Sequence, residues 1–110
     1  MGKCNVTRKE YSENLEILMS LALKYNSSAT EAAAELILSM NSGPYWKCNL
    51  INLRSLDDDN FEAAIKSICG YRKYAIYPYQ IIQDAEVRLP KLKEKYNYLA
   101  IKNHKRYGDS

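Results

Sequence analysis

Carboxylates, thiols and one imidazole are the side chains from which this chain could build a reactive centre. Asp57, Asp58 and Asp59 stand in a row, Glu31 and Glu35 are four apart, and Cys4, Cys48 and Cys69 are accompanied by a single histidine, His104. Three adjacent carboxylates suit a hard cation, but a calcium loop needs oxygen ligands at alternating positions, a Gly at the sixth and a Glu at the twelfth. Counted from Asp57, those positions hold Glu62 and Ile68. The trio is better read as an N-cap followed by negative charge at a positive helix end. Glu31 and Glu35 share one helical face and read as solvated surface. No two cysteines have Cys-x-x-Cys spacing, so a zinc site would have to recruit carboxylates. Cys48 and Cys69 read as small buried hydrophobes. His104 lies among Lys102, Lys105 and Arg106, which disfavour its protonated form, making it a poor general base. The chain has no Gly-rich phosphate loop, no Gly-x-Ser-x-Gly and no His-x-x-x-His. These residues describe no enzyme, and neither a metal nor a cofactor is expected.

Residues suited to binding are more plentiful. Tyr71, Tyr74, Tyr77 and Tyr79 fall within nine residues, interleaved with Arg72 and Lys73. An exposed tyrosine cluster makes a good contact surface because the ring is amphipathic and loses little rotamer entropy. The same rings beside cations could stack bases and hold phosphates, or they could simply cover one end of the core. Further on, Arg88, Lys91, Lys93, Lys95, Lys102, Lys105 and Arg106 form a basic pole. Residues 1–87 carry nine Lys/Arg against eleven Asp/Glu, whereas residues 88–110 carry seven against two. Such a pole could track phosphates, steer docking onto an acidic protein or be an ordinary solvated helix face. It is lysine-rich and lacks an obvious Asn/Arg/Gln set aimed at base edges.

The elements that must position these residues read as helices. Thr7 and Glu10 form a capping box, followed by a stripe of Tyr11, Leu15, Leu18, Ala22 and Tyr25, widened by Ile17 and Leu21. Asn26-Ser27-Ser28 breaks that helix. Ser28 with Glu31 opens a second one carrying Ala32, Ala33, Leu36, Ile37 and Met40, which stops at Asn41-Ser42-Gly43-Pro44. Trp46 is either a core plug beneath the loop or an exposed interface anchor. Asn49 caps a short turn with Leu50, Leu53 and Leu56. Asp57 caps a third helix expected to bury Phe61, Ile65 and Ile68 and to close at Gly70 in the left-handed conformation. Pro78 suits the first turn of a helix carrying Ile81, Ile82, Ala85 and Leu89. Pro90 either kinks it or begins a last helix with Leu92, Tyr96, Leu99 and Asn103.

The block from Gly43 to Glu62 resembles a family of small proteobacterial proteins of unknown function, encoded largely on plasmids, phages and integrative elements. Gly43-x-x-Trp46, Asn49-Leu50-Ile51-Asn52-Leu53-Arg54-Ser55-Leu56-Asp57 and Asp59-Asn60-Phe61-Glu62 carry the resemblance. The family's pattern is Asn-Gly, an aromatic, then Asp-Leu-x-x-Leu-Arg-x-Leu-Asp-x-x-x-Phe-Glu. Here Asn49 and Asn52 stand where the family favours Asp, and Lys47-Cys48 where it favours Pro-Phe. The resemblance implies a shared helical fold and brings no catalytic residue with it. Arg54 with Asp57 is expected to form a local ion pair at the helix junction.

At 110 residues, 46% hydrophobic and 26% charged, the chain is ordinary globular material for one domain. The expected fold is all-α, a single domain over 1–110 of four to five short helices, with 1–6 and 107–110 as frayed ends. The N-terminus Met1-Gly2-Lys3-Cys4-Asn5-Val6 lacks an apolar signal region, and no apolar run is long enough to span a bilayer. The sequence therefore reads as a cytoplasmic, non-enzymatic binding protein of a mobile element or phage. Its expected partner is a host protein or ribonucleoprotein complex, whose inhibition, in the manner of an anti-defence protein, would be its effect. The competing reading is a nucleic-acid-binding regulator using the basic C-terminal helix. Self-association into a homodimer is a third.

Overall fold

The fold comes from a computed structural model that describes residues 5–101. Its elements are α1 (Arg8–Lys24), α2 (Ser28–Asn41), a 3-10 turn (Leu50–Ser55), α3 (Asp58–Tyr74), α4 (Pro78–Ile81), α5 (Ala85–Lys95) and a closing 3-10 turn (Asn97–Leu99). Among the described residues there is no strand, and no helix is long and apolar enough to cross a membrane. The all-α expectation holds.

The expected capping box opens α1. The Glu10 amide donates to Thr7 Oγ1 (3.0 Å), and the Thr7 amide donates to Glu10 Oε1 (2.8 Å). These bonds hold the Glu10 carboxyl below its usual range. The box of α2 lies one residue earlier than the sequence suggested: Ser27 and Thr30 exchange the two bonds in place of Ser28 and Glu31. The Thr30 hydroxyl can reciprocate as a carboxylate would, and the shift leaves Glu31 free to turn elsewhere. Val6, expected in a frayed end, is buried, and its carbonyl accepts from Tyr74 Oη (2.8 Å).

The central element is α2, which packs on α1, the first 3-10 turn, α4 and α3. Every side chain from Ala32 to Leu38 is buried, Glu35 included, at 7% exposure. This corrects the solvated reading of that carboxylate. Burial of a carboxylate demands a partner, and Asn52 Nδ2 from the 3-10 turn donates to Glu35 Oε1 (3.0 Å). Tyr98 Oη donates to Glu31 Oε2 (2.5 Å). The two carboxylates thus pin separate chain segments to α2.

Helix α3 departs most from expectation. It runs straight through Gly70 and ends four residues later, with Ala75 in the left-handed region (φ 53°). Gly70 instead serves close approach: a Cβ there would sit 2.4 Å from ring carbons of Tyr11. The face of α3 turned to α1 is Ala63, Ala64, Ser67 and Gly70, small residues that bring the two axes together. Phe61, Ile65 and Ile68 point the other way and are 43%, 41% and 37% exposed. They are not core.

Pro78 begins α4, but that helix lasts one turn. Asp84 takes a left-handed conformation (φ 56°) before α5 starts, and Pro90 lies inside α5. Leu89, Leu92 and Tyr96 are buried as expected. Trp46 is buried beneath the loop, which decides for the core plug. Cys48 is a half-buried free thiol, pushed up to about 11 by desolvation and the nearby Glu35 charge. Cys69 is disulfide-bonded, so it is not the inert buried thiol expected; such bonds are commoner in oxidising compartments than in the cytosol. Among the described residues, no group of His, Cys, Asp and Glu could hold a metal ion. Arg54 forms no ion pair with Asp57, whose carboxylate caps α3 through the Asn60 amide (2.8 Å).

Candidate functional site

The tyrosine segment divides into rings that hold the fold and rings that face outward. Tyr74 is half-buried, its hydroxyl on the Val6 carbonyl, with Lys73 Nζ 5.2 Å from its ring centre and 3.4 Å from the same carbonyl. Both side chains fasten the segment before α1 to the end of α3, which takes Tyr74 out of the expected contact set. Tyr11 makes a matching tie from α1. Its hydroxyl donates to the Ile76 carbonyl (2.5 Å), and burial followed by the neighbouring Tyr71 pushes it up to about 12.

Tyr77 and Tyr79 form the outward part, backed by Tyr71, which is half-buried against the core. The Tyr71 and Tyr77 rings are tilted at 52° with centroids 5.9 Å apart, and Tyr77 and Tyr79 are near parallel at 12° with centroids 6.0 Å apart. Tyr77 is 44% and Tyr79 57% exposed. The backbone beneath is fixed on both sides of Pro78: the Tyr77 amide donates to Gln80 Oε1 and the Tyr79 amide to Asn41 Oδ1, each at 2.9 Å. The result is a preorganised aromatic plate, so little side-chain or loop entropy remains to be lost on contact. Arg72 beside it is exposed. The plate borders an open groove of about 450 Å³ between the end of α2 and α5, lined in part by Asn41, Tyr79, Leu89, Pro90 and Lys93.

The basic pole fares differently. Arg88 makes a bidentate pair with Glu16 (2.7 and 2.5 Å), joining α5 to α1 and lowering the Glu16 carboxyl chiefly through those hydrogen bonds. Lys95 Nζ donates to the carbonyls of Ala22 and Tyr25 (both 2.7 Å) and Leu23 (3.3 Å), closing the C-terminal end of α1, where Tyr96 Oη also reaches Ala22 (2.8 Å). Two of the expected surface cations are therefore internal fasteners. Lys91 and Lys93 remain exposed, and Lys93 lines both the groove beside Tyr79 and a second one of about 450 Å³ next to Trp46. Lys102, Lys105 and Arg106 lie outside the described residues.

The sequence reading missed the outward face of α3. Its signal was present: a stripe of Phe61, Ile65 and Ile68 backed by an opposite stripe of Ala63, Ala64, Ser67 and Gly70. Taking the larger residues as the buried ones reversed the helix. No protein-family model, no curated protein and no solved structure matches this chain.

Proposed function

We propose that this chain is a non-enzymatic protein-binding module whose contact surface is the plate of Tyr71, Tyr77 and Tyr79, with Arg72 and Lys93 at its margins. The observation that carries this reading is the stacking of the exposed Tyr77 and Tyr79 rings, with Tyr71 tilted behind them, beside an open groove. Rigid aromatics next to a cavity are the usual energetic centre of a protein interface. The matching partner is a protein surface with an apolar side chain for the groove and oxygen acceptors for the tyrosine hydroxyls. The resemblance of residues 43–62 to proteins of plasmids and phages supports a host macromolecular complex as that partner, with inhibition as the effect. The nucleic-acid reading is weakened by the internal use of Arg88 and Lys95 and by rings that already stack on one another.

The test is capture from host lysate with and without nuclease, at two salt concentrations. The double variant Tyr77→Ala/Tyr79→Ala should lose the captured complex, nuclease should not release it, and Lys91→Glu/Lys93→Glu should mainly slow association at low salt. Tight duplex binding that survives the tyrosine changes and disappears in the lysine variant would replace this function with the nucleic-acid one.

A further inference from the structure

The outward face of α3 has a property beyond being apolar. Asp58, Phe61, Ile65, Ile68 and Arg72 follow one another at spacings of three, four, three and four, which places them in a single line along the helix. The line covers 15 residues, and its 14 steps span roughly 21 Å at helical rise. Its middle is Ile65, with an acid at one end, a cation at the other, and a large apolar residue on either side of the centre. Beside the line, Asp59 adds negative charge in the first turn, Lys66 at the middle of α3 is paired with Glu62 (3.5 Å), and Lys73 is held at the Val6 carbonyl.

A line of that composition is complementary to itself when reversed. Laid antiparallel against a second copy about Ile65, Asp58 meets Arg72 of the other α3 at both ends, Phe61 falls within one residue of Ile68 on each side, and Ile65 meets its own counterpart on the two-fold axis. Parallel pairing would instead set acid on acid and cation on cation. Antiparallel pairing also opposes the two helix dipoles. We propose that α3 is an isologous homodimer interface in which two copies pair antiparallel through Asp58, Phe61, Ile65, Ile68 and Arg72. The occupant is a second copy of this chain because this face supplies both halves of its own charge pattern.

The pairing shares Arg72 with the margin of the aromatic plate and uses none of its rings. It would set the two plates at opposite ends of the shared helix pair, giving the dimer two outward contact surfaces. Three large apolar side chains per copy make a small interface, so association in the micromolar range is expected.

Sedimentation equilibrium over roughly 1–500 μM brackets that range. Wild type should pass from monomer to dimer. Ile65→Asp should raise the dissociation constant on the order of 100-fold, because one substitution removes the axial contact from both copies and opposes two charges. Asp58→Arg and Arg72→Asp should each weaken the dimer, and Asp58→Arg/Arg72→Asp should restore it, an outcome open only to antiparallel register. The charge exchange leaves every apolar residue in place, so it reads the register even if Ile65→Asp fails to fold by circular dichroism. Tyr77→Ala/Tyr79→Ala should dimerise as wild type does. A wild type that stays monomeric throughout would overturn the proposal and leave the face to another protein. So would a dimer that a folded Ile65→Asp does not disturb, or an exchanged pair that does not recover.

Discussion

Helices α2 and α3 carry comparable numbers of large apolar residues and bury them in opposite ways. In α2 both the alanines and the long side chains are enclosed, because four elements pack around it. In α3 only the small residues are enclosed, and Phe61, Ile65 and Ile68 are left in solvent. The difference teaches that the inward face of a helix is chosen by how near its neighbour must come. Tyr11 of α1 occupies the space that a side chain at position 70 would need. No arrangement could turn Phe61 inward at that crossing and keep the two axes as close.

The comparison is broken most severely inside α2. Leu38→Ala should cost roughly 2–5 kcal/mol in denaturant unfolding, since the side chain is fully buried. Next comes the α1–α3 contact. Gly70→Ala would ordinarily favour a helix, but here its Cβ meets the Tyr11 ring, and a loss of roughly 1–3 kcal/mol is expected. A gain in stability would show that the crossing can open.

Tyr11→Phe tests the same junction through pH. Loss of the bond to Ile76 should cost about 1 kcal/mol at neutral pH. The hydroxyl ionises near 10.0 when free and is pushed up to about 12 in the fold. Its stabilising contribution is therefore complete below the lower value and lost as pH rises toward the upper one. Stability measured from neutral pH up to that window should fall less steeply in the variant, and an unchanged alkaline limb would contradict the burial of this group. The smallest effect belongs to Phe61→Ala. Measured at dilution, below the range in which the proposed dimer would form, it should move unfolding by no more than about 0.5 kcal/mol; a loss matching Leu38→Ala would put Phe61 back in the core.

Much of the chain's local order was legible because it rests on short-range chemistry. The Thr7–Glu10 box, the Asp57 cap, the stop at Asn41–Pro44 and the placement of Pro78 each involve groups within four residues of one another. Such bonds form wherever the right side chain meets an unsatisfied amide. The stripe of α1 was legible for a related reason, since Tyr11, Leu15, Leu18 and Ala22 recur at spacings of four and three and all are buried, although Met19 joins them and Ile17 stays exposed. Where two faces competed, as on α3, the pattern admitted two answers.

The sequence by itself determined that this chain is helical, where most helices begin, and that a cluster of tyrosines follows the third. Tertiary structure alone decided which side chains those helices present. Lys95 and Arg88 became fasteners because the end of α1 and the Glu16 carboxylate lie within their reach, pairings that span more than 70 residues. Tyr74 was withdrawn to the Val6 carbonyl while Tyr77 and Tyr79 stayed outside. Long-range partners of this kind are set by the close approach of whole helices, and that approach depends on the summed volume of every residue between them.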